Sequence, residues 1–322
     1  RLRRGGRLPR EQNIPTMKKI YITAFLALTA LASRAQQDPH YTQYMYNMNV
    51  MNPAYAGSKE SLSGGLLYRK QWVDIEDAPT TGTFFIHSPV GKNVGLGLSA
   101  VNDKIGPVEE TNVYADFSYT LQLGGEHRLA FGIKGGATFH KVDFATIYPT
   151  LPDVGDGVFA TSNPSETMLN VGAGLFYYTD KYYVAFSVPN MLKGKYLDFN
   201  GTSYGSEALH YFLTGGYVFQ LGQDFKLKPS AMIKSSFDAP TSYDVSLNGL
   251  YLERFELGAT YRIEDSWGVM ANVGVIPNVL RIGYAYDHIV SDLKVSTPAS
   301  HEIILLFDIP YAKKVSRSPR YF

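Results

Sequence analysis

Residues 110–123 read ETNVYADFSYTLQL. Val113, Ala115, Phe117, Tyr119, Leu121 and Leu123 fall on one side of this stretch, and Asn112, Tyr114, Asp116, Ser118, Thr120 and Gln122 on the other. Successive side chains of a strand point to opposite faces, so sustained alternation predicts a β-strand with one apolar face. The pattern recurs at 127–142, where Leu129, Phe131, Ile133, Ala137 and Phe139 oppose Lys134, Thr138 and His140. At 254–263, Phe255, Leu257, Ala259, Tyr261 and Ile263 oppose Glu256, Gly258, Thr260 and Arg262, and 278–288 repeats the scheme. The apolar face ends in aromatics, while the other face carries charges and glycine.

Extended along the chain, this reading gives about fourteen strands. They start near Leu62, Thr81, Asn93, Thr111, His127, Met168, Lys181, Ala208, Asp224, Thr241, Arg254, Ser266, Asn278 and Ser300. Most are about 9–14 residues long, beyond the usual 5–6 of soluble sandwich strands but suited to tilted membrane strands of about 9–11. The connections alternate as well. Those after the second, fourth, sixth, eighth, tenth and twelfth strands are tight. Those after the first, third, fifth, seventh and thirteenth are longer, and those after the ninth and eleventh are short. Tight turns on one rim and longer loops on the other are the habit of outer-membrane barrels. A soluble sandwich explains the alternation but not the asymmetry, and a lipocalin-like barrel needs only about eight strands.

The predicted fold is therefore all-β: a transmembrane antiparallel β-barrel with short periplasmic turns and longer extracellular loops. Backbone groups in lipid have no water to pair with, so the sheet must close. Its apolar face meets lipid and its polar face lines the lumen. Tyr68, Trp72, Tyr217, Tyr251, Tyr261, Trp267 and Tyr286 stand at strand ends, as in interfacial girdles. Charges inside a closed wall need partners. Arg69, Asp103, Lys134, Arg262, Arg281, Asp287 and Glu302 are the candidates for a network in the lumen or its mouth. A salt-bridged, plug-like interior and a conducting or ligand-contacting pathway both accommodate them.

Ahead of the strands, residues 1–16 are Arg-rich and read as an upstream extension before Met17. From Met17 come Lys18 and Lys19, an apolar run at 20–32, and Ser33-Arg34-Ala35. This is the layout of a secretory signal cleaved after Ala35, and the run falls short of the roughly 20 residues of a membrane helix. Removing the eight basic residues and one acidic residue of 1–35 from totals of 30 and 29 leaves 22 and 28, a net charge of −6. A basic surface for nucleic acid is not supported. Cysteine is absent, which excludes a disulfide framework, thiol chemistry and a lipoprotein anchor.

Residues 36–57, QQDPHYTQYMYNMNVMNPAYAG, are rich in Tyr, Met and Asn and show neither a helical nor a strand period. Pro53 fixes φ and Gly57 permits φ > 0, so MNPAYAG reads as an ordered turn. By strand parity, 36–61 forms a periplasmic N-terminal segment that either packs into the barrel mouth or is offered to a partner, 62–310 forms the barrel and 311–322 a periplasmic C-terminal tail. Catalytic chemistry finds no footing. The seven His are scattered, and no H-E-x-x-H, G-x-S-x-G or P-loop occurs. Asp153–Gly157 (DVGDG) lacks EF-hand spacing and reads as an acidic turn. No enzyme activity, metal or cofactor is expected.

Several blocks together resemble a known family. They are QQDPHYTQYMYNMNVMNPAYAGS at 36–58, YRKQWVDIEDAPTTGTF at 68–84, VGLGLSAVNDKIGP at 94–107, SVPNML at 187–192, IGYAYD at 282–287, SHEIIL at 300–305 and SPRYF at 318–322. They resemble the PorP/SprF family of outer-membrane proteins of the type IX secretion system of Bacteroidota. The chain departs from the family pattern at 47–51, where a Pro-containing version is commoner. The resemblance implies an integral outer-membrane barrel without catalysis. Such a barrel supports secretion or cell-surface attachment of substrate proteins such as gliding adhesins, together with the secretion machinery and its periplasmic partners. Tyr44, Asn52, Pro53, Tyr55 and Gly57, with Arg320, Tyr321 and Phe322 of the tail, are the candidate partner contacts. A passive porin or small hydrophobic-solute transporter is the competing reading, and a barrel that merely anchors a complex is a third.

Overall fold

The computed structural model describes residues 40–59, 61–143, 165–192, 195–199, 202–206, 209–236, 239–291 and 299–311. The strands are β1 (Ser61–Lys70), β2 (Thr80–Pro89), β3 (Val94–Ile105), β4 (Val108–Gly124), β5 (His127–Val142), β6 (Ser165–Tyr178), β7 (Tyr182–Val188), β8 (Lys195–Phe199), β9 (Thr202–Ser206), β10 (His210–Tyr217), β11 (Phe219–Gln220), β12 (Phe225–Ser236), β13 (Ala239–Tyr251), β14 (Phe255–Arg262), β15 (Ser266–Ile276), β16 (Leu280–Ile289) and β17 (Ala299–Pro310). Each wall strand pairs antiparallel with its neighbours in sequence, β1 pairs with β17, and β10 pairs with both β7 and β12. The sheet is thus a closed ring. β10 and β11 both lie along β12 and make one wall strand interrupted at Val218, so the wall has fourteen strands. β8 and β9 form a separate hairpin in the β7–β10 connection.

The wall is apolar outside and polar inside. Val113, Phe117, Tyr119, Leu121 and Leu123 of β4 are exposed, whereas Tyr114, Asp116 and Ser118 between them are buried. The same inversion holds in β5, where Phe131, Ile133 and Phe139 are exposed and Lys134, Thr138 and His140 buried. Only a lipid-facing exterior makes this arrangement favourable. Each wall strand starts within three residues of its predicted position.

One rim, here the turn rim, carries the connections 90–93, 125–126, 179–181, 221–224, 252–254 and 277–279. Gly124 and Gly125 make the β4–β5 turn with φ of 108° and 58°, which L side chains resist. The opposite loop rim carries 71–79, 143–164, 189–209 and 290–298, together with short connections at 106–107, 237–238 and 263–265. The connection after β3 is therefore short, not longer as the sequence suggests. β3 and β4 stay paired up to Ile105 and Val108, past the end of their apolar stripe. The acidic turn 153–157 and the tail 312–322 lie outside the described residues.

Candidate functional site: the occupied lumen

Residues 40–59 do not stand outside the barrel. They fill it. The segment folds as a 3-10 turn (Tyr44–Tyr46), a single α-helical turn (Met48–Met51) and a second 3-10 turn (Pro53–Tyr55). Local chemistry explains the last piece: Asn52 Oδ1 accepts from Ala54 N at 2.9 Å, and Pro53 takes the first helical position, where its missing N–H is not needed. The rest is ordered by the wall around it. Tyr41 through Asn49 are all buried. Strand parity placed this segment with the periplasmic turns because parity counts crossings of the wall only. A chain that doubles back through the lumen escapes that count.

Near the loop rim, Arg69 (β1) joins Asp287 (β16) at 2.8 Å and Glu302 (β17) at 3.2 Å. Glu302 also accepts from the backbone N of Thr42 at 3.0 Å and of Gln43 at 2.9 Å, and Arg69 donates to Thr42 Oγ1 at 2.7 Å. The Thr42 hydroxyl in turn donates to Asp287. One cation thus meets two carboxylates, and two backbone N–H groups of the inserted segment make up the shortfall. Beside this knot, Arg262 pairs with Asp244 at 2.6 Å and Asp265 at 3.2 Å and reaches the Tyr41 carbonyl at 3.5 Å.

A second knot lies near the turn rim. Glu256 (β14) pairs with Lys228 (β12) at 3.2 Å and Arg281 (β16) at 3.1 Å, and accepts from Asn248 at 2.7 Å. Tyr46 inserts its hydroxyl here, accepting from Lys228 at 2.8 Å and donating to Glu256. On the remaining side of the lumen, Lys134 pairs with Asp116 at 3.7 Å and donates to the Val50 carbonyl, and Asn49 donates to Asp116 at 3.2 Å. Buried charge is costly unless it is paired and hydrogen-bonded, and in each knot the inserted segment supplies part of that pairing.

The wall also makes room for the segment. A Cβ at Gly95 would stand 2.1 Å from the Ala56 carbonyl oxygen, at Gly132 2.1 Å from Ala54 N, and at Gly174 2.1 Å from Asn52 Oδ1. Each is a close approach that any larger residue would block. Tyr55 packs edge-on against His87 at 5.3 Å and Phe176 at 5.2 Å. At the turn rim a cavity of about 280 Å³ remains, lined by Tyr46, Lys59, Ile276, Arg281, Leu306 and Asp308 among others.

Of the seven predicted lumen charges, Arg69, Asp287 and Glu302 share one knot, and Lys134, Arg262 and Arg281 serve the others. Asp103 stands apart on β3, accepting from Thr81. Asp116, Lys228, Asp244 and Glu256 were not singled out, although Asp116 and Glu256 lie on the polar faces read from sequence. Among the partner-contact candidates, Tyr44, Asn52, Pro53 and Tyr55 are buried in the lumen and Gly57 lies beside them. Tyr44 donates to Ser230 at 3.1 Å, Asn52 to the Leu175 carbonyl at 3.0 Å, and Gly57 N to His87 at 3.1 Å. In this arrangement their hydrogen bonds run to the barrel wall. Arg320, Tyr321 and Phe322 lie outside the described residues. Among the described residues no group of three or more His, Asp or Glu side chains is placed to hold a metal ion.

Residues 33–307 match the family described as type IX secretion system membrane protein PorP/SprF. The chain belongs to the PorP/SprF family. That match takes in the lumen segment and nearly all of the wall, so this PorP/SprF protein is an outer-membrane β-barrel of a secretion-system family. No curated protein matches it significantly. Among solved structures it is similar to the Pseudomonas putida toluene transporter TodX, with a TM-score of 0.48 and 10% identity over 83% of this chain and 95% of that one. It is also similar to the CymD monoaromatic hydrocarbon channel, with a TM-score of 0.47 and 12% identity over 81% and 91%. The Acinetobacter baumannii outer membrane protein Omp33 gives a TM-score of 0.44 and 11% identity over 79% and 100%.

Proposed function

We propose that this PorP/SprF barrel supports secretion or cell-surface attachment of a substrate protein such as an adhesin. It does so by holding substrate, periplasmic machinery or both at its mouths, without catalysis. The observation that carries this reading is the occupied lumen: residues 40–59 fill the space through which a porin would pass solute, and Thr42, Gln43 and Tyr46 hydrogen-bond to buried ion pairs of the wall. Work at the mouths fits such a barrel better than flux through it. In this reading the turn rim faces the periplasm and the loop rim the cell surface, in keeping with loop lengths in outer-membrane barrels. β17 ends at the turn rim, so the tail 311–322, with Arg320, Tyr321 and Phe322, is offered to periplasmic partners.

The competing reading, a passive porin or small hydrophobic-solute transporter, requires residues 40–59 to leave or shift. Two measurements separate the readings. Protein purified gently from membranes is expected to bring secretion partners with it and to be electrically silent in planar bilayers. Recovery alone, with steady conductance, would replace the proposal by the porin. Deleting residues 318–322 is expected to leave barrel insertion intact and to lower the amount of substrate at the surface. Normal surface levels would remove the tail from the proposal.

A further inference from the structure

The turn-rim knot sets two cations on one carboxylate: Lys228 stands 3.2 Å and Arg281 3.1 Å from Glu256. It also holds a carboxamide. Asn248 of β13 lies directly opposite Lys228 of β12 in the ladder, and both side chains are buried on the lumen side. Directly opposed residues bring their Cβ atoms to within about 4.5–5.5 Å. Asn248 Nδ2 and Lys228 Nζ donate to the same oxygen, Glu256 Oε1, at 2.7 and 3.2 Å. An amine, a carboxamide and a carboxylate that touches both are thus collected at one point. Tyr46 of the lumen segment covers that point. Its ring centroid lies 5.0 Å from Nζ, and its hydroxyl accepts from Nζ at 2.8 Å. On the other side of Asn248 the ladder partner is Gly258, where a Cβ would stand 2.2 Å from Asn248 Oδ1. A residue without a side chain leaves the carboxamide its room there.

We propose that Lys228 and Asn248 join in an isopeptide bond, with Glu256 carrying protons between them. Glu256 takes a proton from the Lys228 ammonium and frees the nitrogen lone pair. Nζ attacks Asn248 Cγ, a C–N bond forms, and the C=O electron pair moves onto Oδ1. Glu256 gives its proton to Nδ2 and takes a second one from Nζ. The carbonyl re-forms, the Cγ–Nδ2 bond breaks, and ammonia leaves, taking that second proton as ammonium. Nothing is oxidised or reduced, no co-reactant is consumed, and Glu256 ends as the carboxylate it began. A lysine nucleophile beside a base is an established arrangement for covalent chemistry. Holding amine and amide side by side turns an encounter into an internal step, and the exclusion of water protects the amide from hydrolysis. The product also suits the knot. With the Lys228 charge gone, Glu256 keeps Arg281, one cation to one anion. The bond clasps β12 to β13 where Tyr46 meets the wall.

The test is a tryptic map of the full chain purified from membranes, read by mass spectrometry. Cleavage after Lys226, Lys234 and Arg254 separates residues 227–234 from residues 235–254. The expected product is one branched species that holds both peptides. It is lighter than the two together by one ammonia, and its fragment ions place the link between Lys228 and Asn248. Recovery of the two peptides separately and in full, with no branched species, would overturn the proposal. Asn248→Ala is expected to release both peptides, and a branched product persisting there would place the link elsewhere. Glu256→Gln, taken only from barrels that have inserted, is expected to leave both peptides unlinked with Lys228 and Asn248 intact. A branched product at the native level in that variant would remove Glu256 from the step.

Discussion

Glu256 and Leu257 are consecutive residues of β14 and live in opposite surroundings. Leu257 is 70% exposed on the outer wall, and Glu256 is 1% exposed among Lys228, Arg281, Asn248 and Tyr46. The outer face of the barrel asks only for apolar side chains, since lipid packs against any of them. The inner face asks for particular partners at particular distances, because a buried charge without its partner is far costlier than a missing methyl group. The two faces of one sheet therefore tolerate change very differently, and the difference can be pushed hard.

The largest effect is expected from emptying the lumen. Deleting residues 41–56 removes the occupant and leaves the wall pairing, which the strands supply to one another, in place. The variant is expected to insert and to conduct ions in planar bilayers where the unaltered protein is silent. Silence in both would mean that something other than this segment closes the barrel. Next comes Arg69→Ala, which leaves Asp287 and Glu302 buried without their shared cation. Loss of one partner from a buried ion pair costs about 3–5 kcal/mol. Urea unfolding in lipid vesicles measures this, and Arg69→Lys is expected to recover part of it. An Arg69→Ala loss below about 1 kcal/mol, the range of exposed pairs, would place water in the knot.

How much of this could be read from the sequence follows the same division. The outer face was legible because lipid imposes a simple rule on every second residue, and Phe117, Phe131 and Leu257 announce it wherever the wall crosses the membrane. Legibility stopped where the wall leaves lipid. Asn102, Asp103 and Lys104 face Thr111, Glu110 and Glu109 in a hairpin that still pairs but no longer alternates, so the turn at 106–107 was read as a longer loop. The lumen was legible only in its charges. Arg69, Asp287 and Glu302 were recognisable as groups in need of partners, but Thr42, which ties them together, lies 260 residues from Glu302. Residues 40–59 have no period of their own because their shape is dictated by surrounding strands, and no local pattern records such a mould.

A smaller contrast sits within β5. Gly132→Ala and Gly135→Ala each add one methyl group to the same strand. At position 132 the new Cβ would lie 2.1 Å from Ala54 N, and at position 135 nothing lies within 4 Å. The first is expected to cost about 1–3 kcal/mol through overpacking against the lumen segment. The second is expected to gain roughly 0.5–1 kcal/mol by stiffening the strand. Equal stabilities by urea unfolding would mean that the segment yields freely at Ala54, and the close approach at Gly132 would lose its meaning.

The smallest effect belongs to Leu257 itself. Leu257→Val removes one CH₂ from the outer face, worth about 0.8 kcal/mol if that group would otherwise have to be held in water. The loss should not exceed this figure, because lipid tails close over the gap and no cavity remains to add to it. Inside a packed protein core the same deletion would carry a cavity cost as well. The measurement is unfolding of Leu257→Val in vesicles, compared with Met270→Leu on the lumen side of the next strand, β15, where Met270 is 2% exposed and its sulfur accepts from Asn248. A Leu257→Val loss well above 1 kcal/mol would show that the outer wall at β14 is packed against something more exacting than lipid. A second protein seated on that face would then have to be sought.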